Sequence, residues 1–174
     1  MRKDLNQSHY LLSVIFLTSC SKENNNVFDF RLQSVLELPV GLNTIETHYF
    51  ILRDIPTFYA ANLQARGLSS DNVKIVNASR GIFSPRFNGS DLNFIRAVTV
   101  SAISKKAPYN KIEMFYQEDV PFNQKEELKM LTSLGDLKNL MAEEKIDLEI
   151  RLTFRAYPPP GLSLQLDFGY LVQI

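Results

Sequence analysis

The chain has 174 residues, with 19 basic and 19 acidic side chains and a single cysteine, Cys20. This balance of charge gives the protein no bulk electrostatic attraction to nucleic acid or to anionic lipid, so we expect no nucleic-acid partner. One cysteine cannot form a disulfide within the chain.

The first residues have the organisation of an export signal. Arg2 and Lys3 give a positive start, and residues 10–17 form a short apolar segment that ends just before Cys20. This segment is far shorter than the roughly 20 apolar residues that a membrane-spanning helix needs. A positive start, a short apolar segment and small residues before a cleavage point are typical of a secretory signal peptide, which we assign to residues 1–19.

The residues around the predicted cleavage point are Leu17-Thr18-Ser19-Cys20. They resemble the lipobox of bacterial lipoproteins, in which a leucine and two small residues precede a cysteine. The resemblance covers only the first 20 residues. It implies that the Cys20 thiol receives a diacylglycerol, that cleavage follows before Cys20, and that the new amine is acylated. Two or three acyl chains together give stable membrane anchoring.

Residues 20–26 are polar and rich in asparagine, and we predict that they form a flexible tether. Ser21 occupies the position where enterobacterial lipoproteins retained at the inner membrane carry aspartate, so the outer membrane is favoured. Lys22-Glu23 resembles the charged surface-export tags of Bacteroidota lipoproteins. Whether the protein faces the periplasm or the cell surface stays open at this point.

The remaining segment, residues 27–174, has the length of one domain that can bury a core without disulfides or metals. Cleavage would remove His9 and leave His48 as its only histidine. A multi-histidine metal site and a zinc site of Cys and His ligands are then excluded. Apart from the lipid on Cys20, we expect no cofactor.

The hydropathy pattern predicts a mainly β domain of seven or eight strands. Apolar and polar residues alternate over 145–156 and again over 162–174, as in strands with one solvated face. The Pro-rich segment 157–161 separates these two strands, which we interpret as a closing hairpin. Weaker strand patterns occur over 28–38, with a bulge near Ser34-Val35, and over 44–53, 73–83, 96–104, 111–116 and 128–131.

Two or three short helices complete the prediction. Residues 56–66 and 134–144 have apolar residues at helical spacing, with Ser133 as the cap of the second, and 90–95 is compatible with one further turn. Antiparallel strands with short helical connections predict a β-sandwich, Ig-like or similar. A closed barrel with a ligand cavity is the alternative.

Candidate binding residues lie in predicted loops that combine aromatic residues with proline or lysine. These residues are Phe83, Arg86, Phe87, Tyr109 and Tyr157. Binding residues are often on loops, and a rigid aromatic side chain loses little entropy on binding. The competing interpretation is that these aromatic rings fold back onto the core, or that the lysine loop 105–111 is merely solvated.

The sequence nominates no catalytic residue. His48 could act as a base oriented by Glu46, but a half-buried strand histidine is the favoured interpretation, and no nucleophile motif such as G-x-S-x-G is present. Glu118-Asp119 could serve acid–base chemistry or bind calcium, although acidic residues before a turn are usually solvated.

We therefore expect a non-catalytic lipoprotein, anchored in the outer membrane through Cys20, that binds a protein partner in an envelope complex. Two alternatives stay open. One is a carrier of lipid or another small ligand with a cavity between its sheets, and the other is a hydrolase that uses carboxylates.

Overall fold

A computed structural model describes residues 27–87 and 90–174. The predicted signal peptide, Cys20 and the tether 20–26 lie outside the described residues. The strands are β1 (Val27–Glu37), β2 (Thr47–Pro56), β3 (Ile75–Pro85), β4 (Ile95–Ile103), β5 (Lys111–Gln117), β6 (Leu128–Thr132), β7 (Lys145–Phe154) and β8 (Ser163–Gln173). The short helices are α1 (Tyr59–Gln64) and α2 (Lys138–Met141), with a single 3-10 turn at Ser70–Asn72.

The mainly β sandwich expected from the sequence is confirmed. All strand pairs are antiparallel, and the strand order is β1-β8-β3-β6-β5-β4-β7-β2. The first four strands of this order form one half of a curled sheet and the last four form the other. Only two residue pairs join β5 to β6, where the sheet turns from one half to the other.

The first and last strands of the chain are neighbours, as in a jelly roll and not as in an Ig domain. Strands β1 and β2 are the two ends of the order, so the strands that the structure describes do not close into a barrel. A single apolar core fills the space between the halves. Its largest fully buried side chains include Tyr59, Phe83, Phe115, Phe154 and Tyr170.

The predicted β7–β8 hairpin is wrong. Strand β7 pairs with β2 and β4, whereas β8 pairs with β1 and β3 in the other half of the sheet. The segment 155–162 therefore crosses from one half of the sandwich to the other. Its three consecutive prolines cannot donate to a strand ladder, which suits a crossing better than a tight turn.

Two smaller expectations are also wrong. The register of β1 against β8 runs without interruption through Ser34 and Val35, so there is no bulge there; β2 instead has one between Leu52 and Ile55. Helix α2 covers only Lys138–Met141, because the preceding chain is tied to β3. There the Asp136 carboxylate accepts hydrogen bonds from the backbone N–H groups of Val76 and Lys138.

In the part of the chain that the structure describes, no helix has the length and apolarity to cross a membrane.

Candidate partner-binding surface

The connections of the sandwich fall into two groups because neighbouring strands alternate between odd and even numbers. Every odd strand runs in one direction and every even strand in the other, so each odd-to-even connection reaches the same end of the molecule. These connections are 38–46, 86–94, 118–127 and 155–162. We call them together the distal end.

The opposite, proximal end carries the connections 57–74, 104–110 and 133–144. It also carries the start of β1 and the end of β8, since Val27 pairs with Gln173. Strand β1 has eleven residues and spans about 33 Å. The distal end therefore lies about one strand length from the point where the preceding chain, including Cys20, is attached.

Large hydrophobic side chains are exposed on each distal connection. Their exposed fractions are 74% for Val40, 91% for Ile45, 69% for Phe87, 82% for Phe122 and 76% for Tyr157. The proximal end exposes four, Val27, Phe58, Tyr109 and Leu134, which are less exposed on average. Contiguous exposed apolar surface is typical of sites that bind a partner. The distal end is thus the candidate partner-binding surface.

The distal connections are held to one another by backbone hydrogen bonds. The N–H of Leu92 donates to Lys125 O over 3.0 Å, and the N–H of Arg155 donates to Phe94 O over 2.9 Å. In connection 38–46, the side-chain oxygen of Asn43 accepts from the N–H groups of Ile45 and Glu46. The bonds from Leu92 and Arg155 join residues 90–94 to connections 118–127 and 155–162, and connections held in this way lose less entropy on binding.

Three of the five sequence-nominated residues are at the distal end. Arg86 and Phe87 are exposed in connection 86–94, where the Arg86 guanidinium carbon lies 5.9 Å from the centroid of the Phe87 ring. Tyr157 is exposed in connection 155–162. Tyr109 is 67% exposed, but it belongs to connection 104–110 at the proximal end.

The assignment of Phe83 as a binding residue is wrong. Phe83 lies within β3, pairs with Leu128 and Leu166, and has no exposed surface. We expected a loop here because Pro85 follows closely. Strand β6 pairs with β3 only as far as Phe83, so at Pro85 the only neighbour of β3 is β8. The missing proline N–H therefore interrupts no hydrogen bond on the side of β3 that faces β6.

Sequence reasoning missed Val40, Ile45 and Phe122. Phe122 directly follows Pro121 in the connection where we considered only Glu118 and Asp119. An aromatic residue close to proline in a predicted turn is the signal that selected Phe87 and Tyr157, and it would also have selected Phe122.

Arg155 supports the connection that carries Phe122. Its side chain is only 14% exposed, its guanidinium carbon lies 4.0 Å from the centroid of the Phe122 ring, and Nη2 donates to Val120 O. Asp119 Oδ1 is 3.7 Å from Arg155 Nη2, but the Asp119 side chain is 91% exposed. Such an exposed carboxylate contributes little to holding the arginine.

At the proximal end, the lysine loop is engaged in local contacts. Lys105 Nζ donates to Asp54 Oδ1 over 2.7 Å and to Asp147 Oδ1 over 3.3 Å. The hydrogen bond raises the pKa of Lys105 and lowers that of Asp54. The nearly buried Glu143 carboxylate accepts from Ser104 Oγ and from the Lys105 N–H. These contacts hold Lys105 and Glu143 within the domain, whereas Tyr109 in the same loop stays exposed.

His48 and Glu46 do not form a catalytic pair. His48 Nε2 is 2.9 Å from Asn43 O, its ring stacks 5.3 Å from that of Phe154, and the Glu46 carboxylate accepts from Asn43 Nδ2 instead. Within residues 27–87 and 90–174, no three metal-ligating side chains come together. The surface cleft at Glu118 also contains the half-buried Glu113, whereas the described residues that line the cleft at Asp119 include no second acid.

Comparison with known proteins identifies no family. No family model and no curated protein matches the chain. A solved structure of Desmodium yellow mottle tymovirus aligns with 97% of this chain and 95% of its own, at 9% identity and a TM-score of 0.28. One of Cocksfoot mottle virus aligns with 99% and 95%, at 12% identity and a TM-score of 0.26. Similarity this low supports no conclusion about function.

Proposed function

We propose that this protein is a non-catalytic lipoprotein, anchored in the outer membrane through a lipid on Cys20, that binds a protein partner of an envelope complex through its distal end. The observation that supports it most is that every distal connection exposes a large hydrophobic side chain, namely Val40, Ile45, Phe87, Phe122 or Tyr157. The proposed role needs no cofactor other than the lipid.

The position of the attachment point supports this role. A lipid on Cys20 would be joined to Val27 by the polar segment 20–26, and Val27 is at the proximal end. Because the tether is expected to be flexible, the distal connections would be free to extend about 33 Å further from the membrane than Val27, along β1. A partner in the periplasm or outside the cell could reach them without displacing lipid.

The composition of the distal end is that of a protein interface. Aromatic residues and arginine are enriched at the centres of interfaces. The distal end presents Phe87 beside Arg86, Phe122 beside Arg155, and the exposed Tyr157. Phenylalanine and tyrosine each bury a large area and lose few rotamers when they bind.

The test is site-specific photo-crosslinking in cells that produce the full chain. A photoreactive residue at Phe122 should give a discrete crosslinked product, whereas one at Leu134, which is 93% exposed at the proximal end, should not. The triple change Phe87→Ser, Tyr157→Ser and Ile45→Ser should abolish the Phe122 product. The control triple Tyr49→Ser, Leu131→Ser and Leu134→Ser removes exposed hydrophobic residues elsewhere and should preserve it.

The anchor is tested separately. Mass analysis of the mature protein should find an acylated N-terminal Cys20, and Cys20→Ala should stop processing and release the protein from the membrane. A Cys20→Ala variant that is still processed and still sediments with membranes would refute lipid anchoring. Protease treatment of intact cells then distinguishes surface exposure, where the protein is cut, from a periplasmic location.

A further inference from the structure

A cleft of about 550 Å³ opens at the distal end between connections 38–46 and 118–127 and the strand ends beside them. Its lining residues are Thr44, Arg96, Asp119, Phe122, Phe154 and Arg155. Two of the six are arginines and one is an acid, so the cleft carries an excess of positive charge in a chain with no net charge.

Arg96 is placed at the cleft by an irregularity in its strand. The register between β4 and β7 shifts between Ile95 and Ala97, which leaves Arg96 as the extra residue of a β-bulge. Bulges commonly redirect a side chain away from the regular alternation of a strand. Arg96 is exposed, and among the described residues it forms no salt bridge.

Arg155 brings a second positive charge to the cleft, and its side chain is 14% exposed. Its Nη1 is buried and has no hydrogen-bond partner among the described residues. A buried donor without an acceptor costs free energy, and the cost is higher when the donor belongs to a charged group. The acid nearest to it, Asp119, is 3.7 Å from the other terminal nitrogen, Nη2, and is almost fully exposed.

We propose that this cleft binds the carboxylate of an aspartate or glutamate side chain in the partner protein, with Arg96 and Arg155 as the cationic groups. This inference rests on the proposed function and specifies the partner, which presents an acidic residue between apolar ones. The acid enters the cleft, and its apolar neighbours pack on Phe122, whose ring already covers the Arg155 guanidinium. Asp119 competes with the incoming carboxylate for the same charge.

The test measures the binding of two labelled peptides to the full chain in non-ionic detergent. One is Gly-Leu-Glu-Leu-Gly with both ends blocked, and the other has glutamine in place of glutamate. We expect the acidic peptide to bind about tenfold more tightly, the typical effect of one hydrogen-bonded charge. A third peptide with phosphoserine at the central position serves as the competing anion.

The variants change this preference in opposite directions. Arg96→Gln should bring the affinity ratio of the two peptides close to one, whereas Asp119→Asn should increase it. Arg31→Gln is the matched control, because Arg31 is an exposed arginine on β1 and should leave the ratio unchanged. Both Arg96 and Asp119 are exposed, so neither change should impair folding.

Equal affinities for the acidic and glutamine peptides would overturn the inference, as would a preference that survives Arg96→Gln. An Arg96-dependent preference for the phosphoserine peptide over the glutamate peptide would overturn the choice of a carboxylate. The photo-crosslinking experiment separates these failures from failure of the proposed function. If the crosslinked product at Phe122 is unaffected by Arg96→Gln, binding at the distal end is supported and the carboxylate inference is refuted.

Discussion

The guanidinium carbon of Arg155 lies 4.0 Å from the centroid of the Phe122 ring. Arg155 follows β7 directly, whereas Phe122 lies in the connection between β5 and β6, so this pair joins two distal connections. The same guanidinium donates from Nη2 to Val120 O. Arg155 therefore contacts both the ring of Phe122 and the backbone of the connection that carries it.

Arg155→Ala should lower the free energy of unfolding by about 1–3 kcal/mol, because the Val120 carbonyl loses a charged hydrogen-bond donor. Phe122→Ala should cost less than about 1 kcal/mol, since its ring is exposed and contributes mainly a cation–π contact. Urea unfolding of both single variants and the double variant gives the coupling free energy. A coupling near zero would show that the two side chains do not stabilise each other in solution.

Phe83 and Phe87 should respond in opposite ways to truncation. Phe83→Ala removes a fully buried ring from the core and should cost about 3–5 kcal/mol of unfolding free energy. Phe87→Ala removes a ring that is 69% exposed and should change stability by no more than about 0.5 kcal/mol. Thermal and urea unfolding of the two variants check this, and comparable losses would contradict the assigned positions.

The connection between β7 and β8 shows which part of this fold the sequence does not predict. The alternating pattern predicted the strand over 145–156 to within two residues of β7, because alternation depends on neighbours along the chain. Whether β7 and β8 pair with each other in a hairpin depends on how strands that are distant in sequence pack against them. Nothing local to residues 157–161 specifies that β8 pairs with β1 and β3 instead.

The candidate surface was only partly predictable, because it too depends on which distant strands pair. Proline and aromatic residues in turns correctly selected Phe87 and Tyr157 as exposed, but the signal could not show that their connections share one end. That follows from the strand order, which is not local. The Arg96 bulge is equally invisible in the sequence, because it appears only when the register of β4 against β7 is known.

Gly169 should not tolerate a larger residue. A Cβ at this position in β8 would lie 2.6 Å from the backbone oxygen of Phe30 and 2.8 Å from Ser79 Oγ, so neighbouring strands would have to separate. Gly169→Ala should therefore cost about 1–3 kcal/mol, the usual range for overpacking.

Gly41→Ala provides the control for Gly169→Ala. Gly41 has a φ of +85°, and a Cβ added there would meet no atom within 4 Å, so alanine meets backbone strain but no clash. We expect a loss of about 1 kcal/mol. A Gly169→Ala variant as stable as the wild type in urea would contradict the close approach of β8 to β1.

Tyr170 should make stability depend on alkaline pH. Its hydroxyl donates to Thr57 O over 2.6 Å inside the core, and burial raises its pKa well above the usual value of 10.0. In the unfolded chain the phenol ionises near pH 10, so the unfolded state binds fewer protons than the folded state above that pH. This contribution is fully present below pH 10 and is lost progressively as the pH rises further.

Tyr170→Phe should remove most of that pH dependence while lowering stability at pH 7 by about 1–3 kcal/mol, because the buried Thr57 carbonyl loses its donor. Urea unfolding at pH 8, 10 and 11 measures both effects. The buried Tyr59, whose pKa is also raised by burial, should retain a smaller dependence in the variant. Equal slopes of stability against pH in the two proteins above pH 10 would show that Tyr170 ionises freely and that its hydroxyl is not held inside the core.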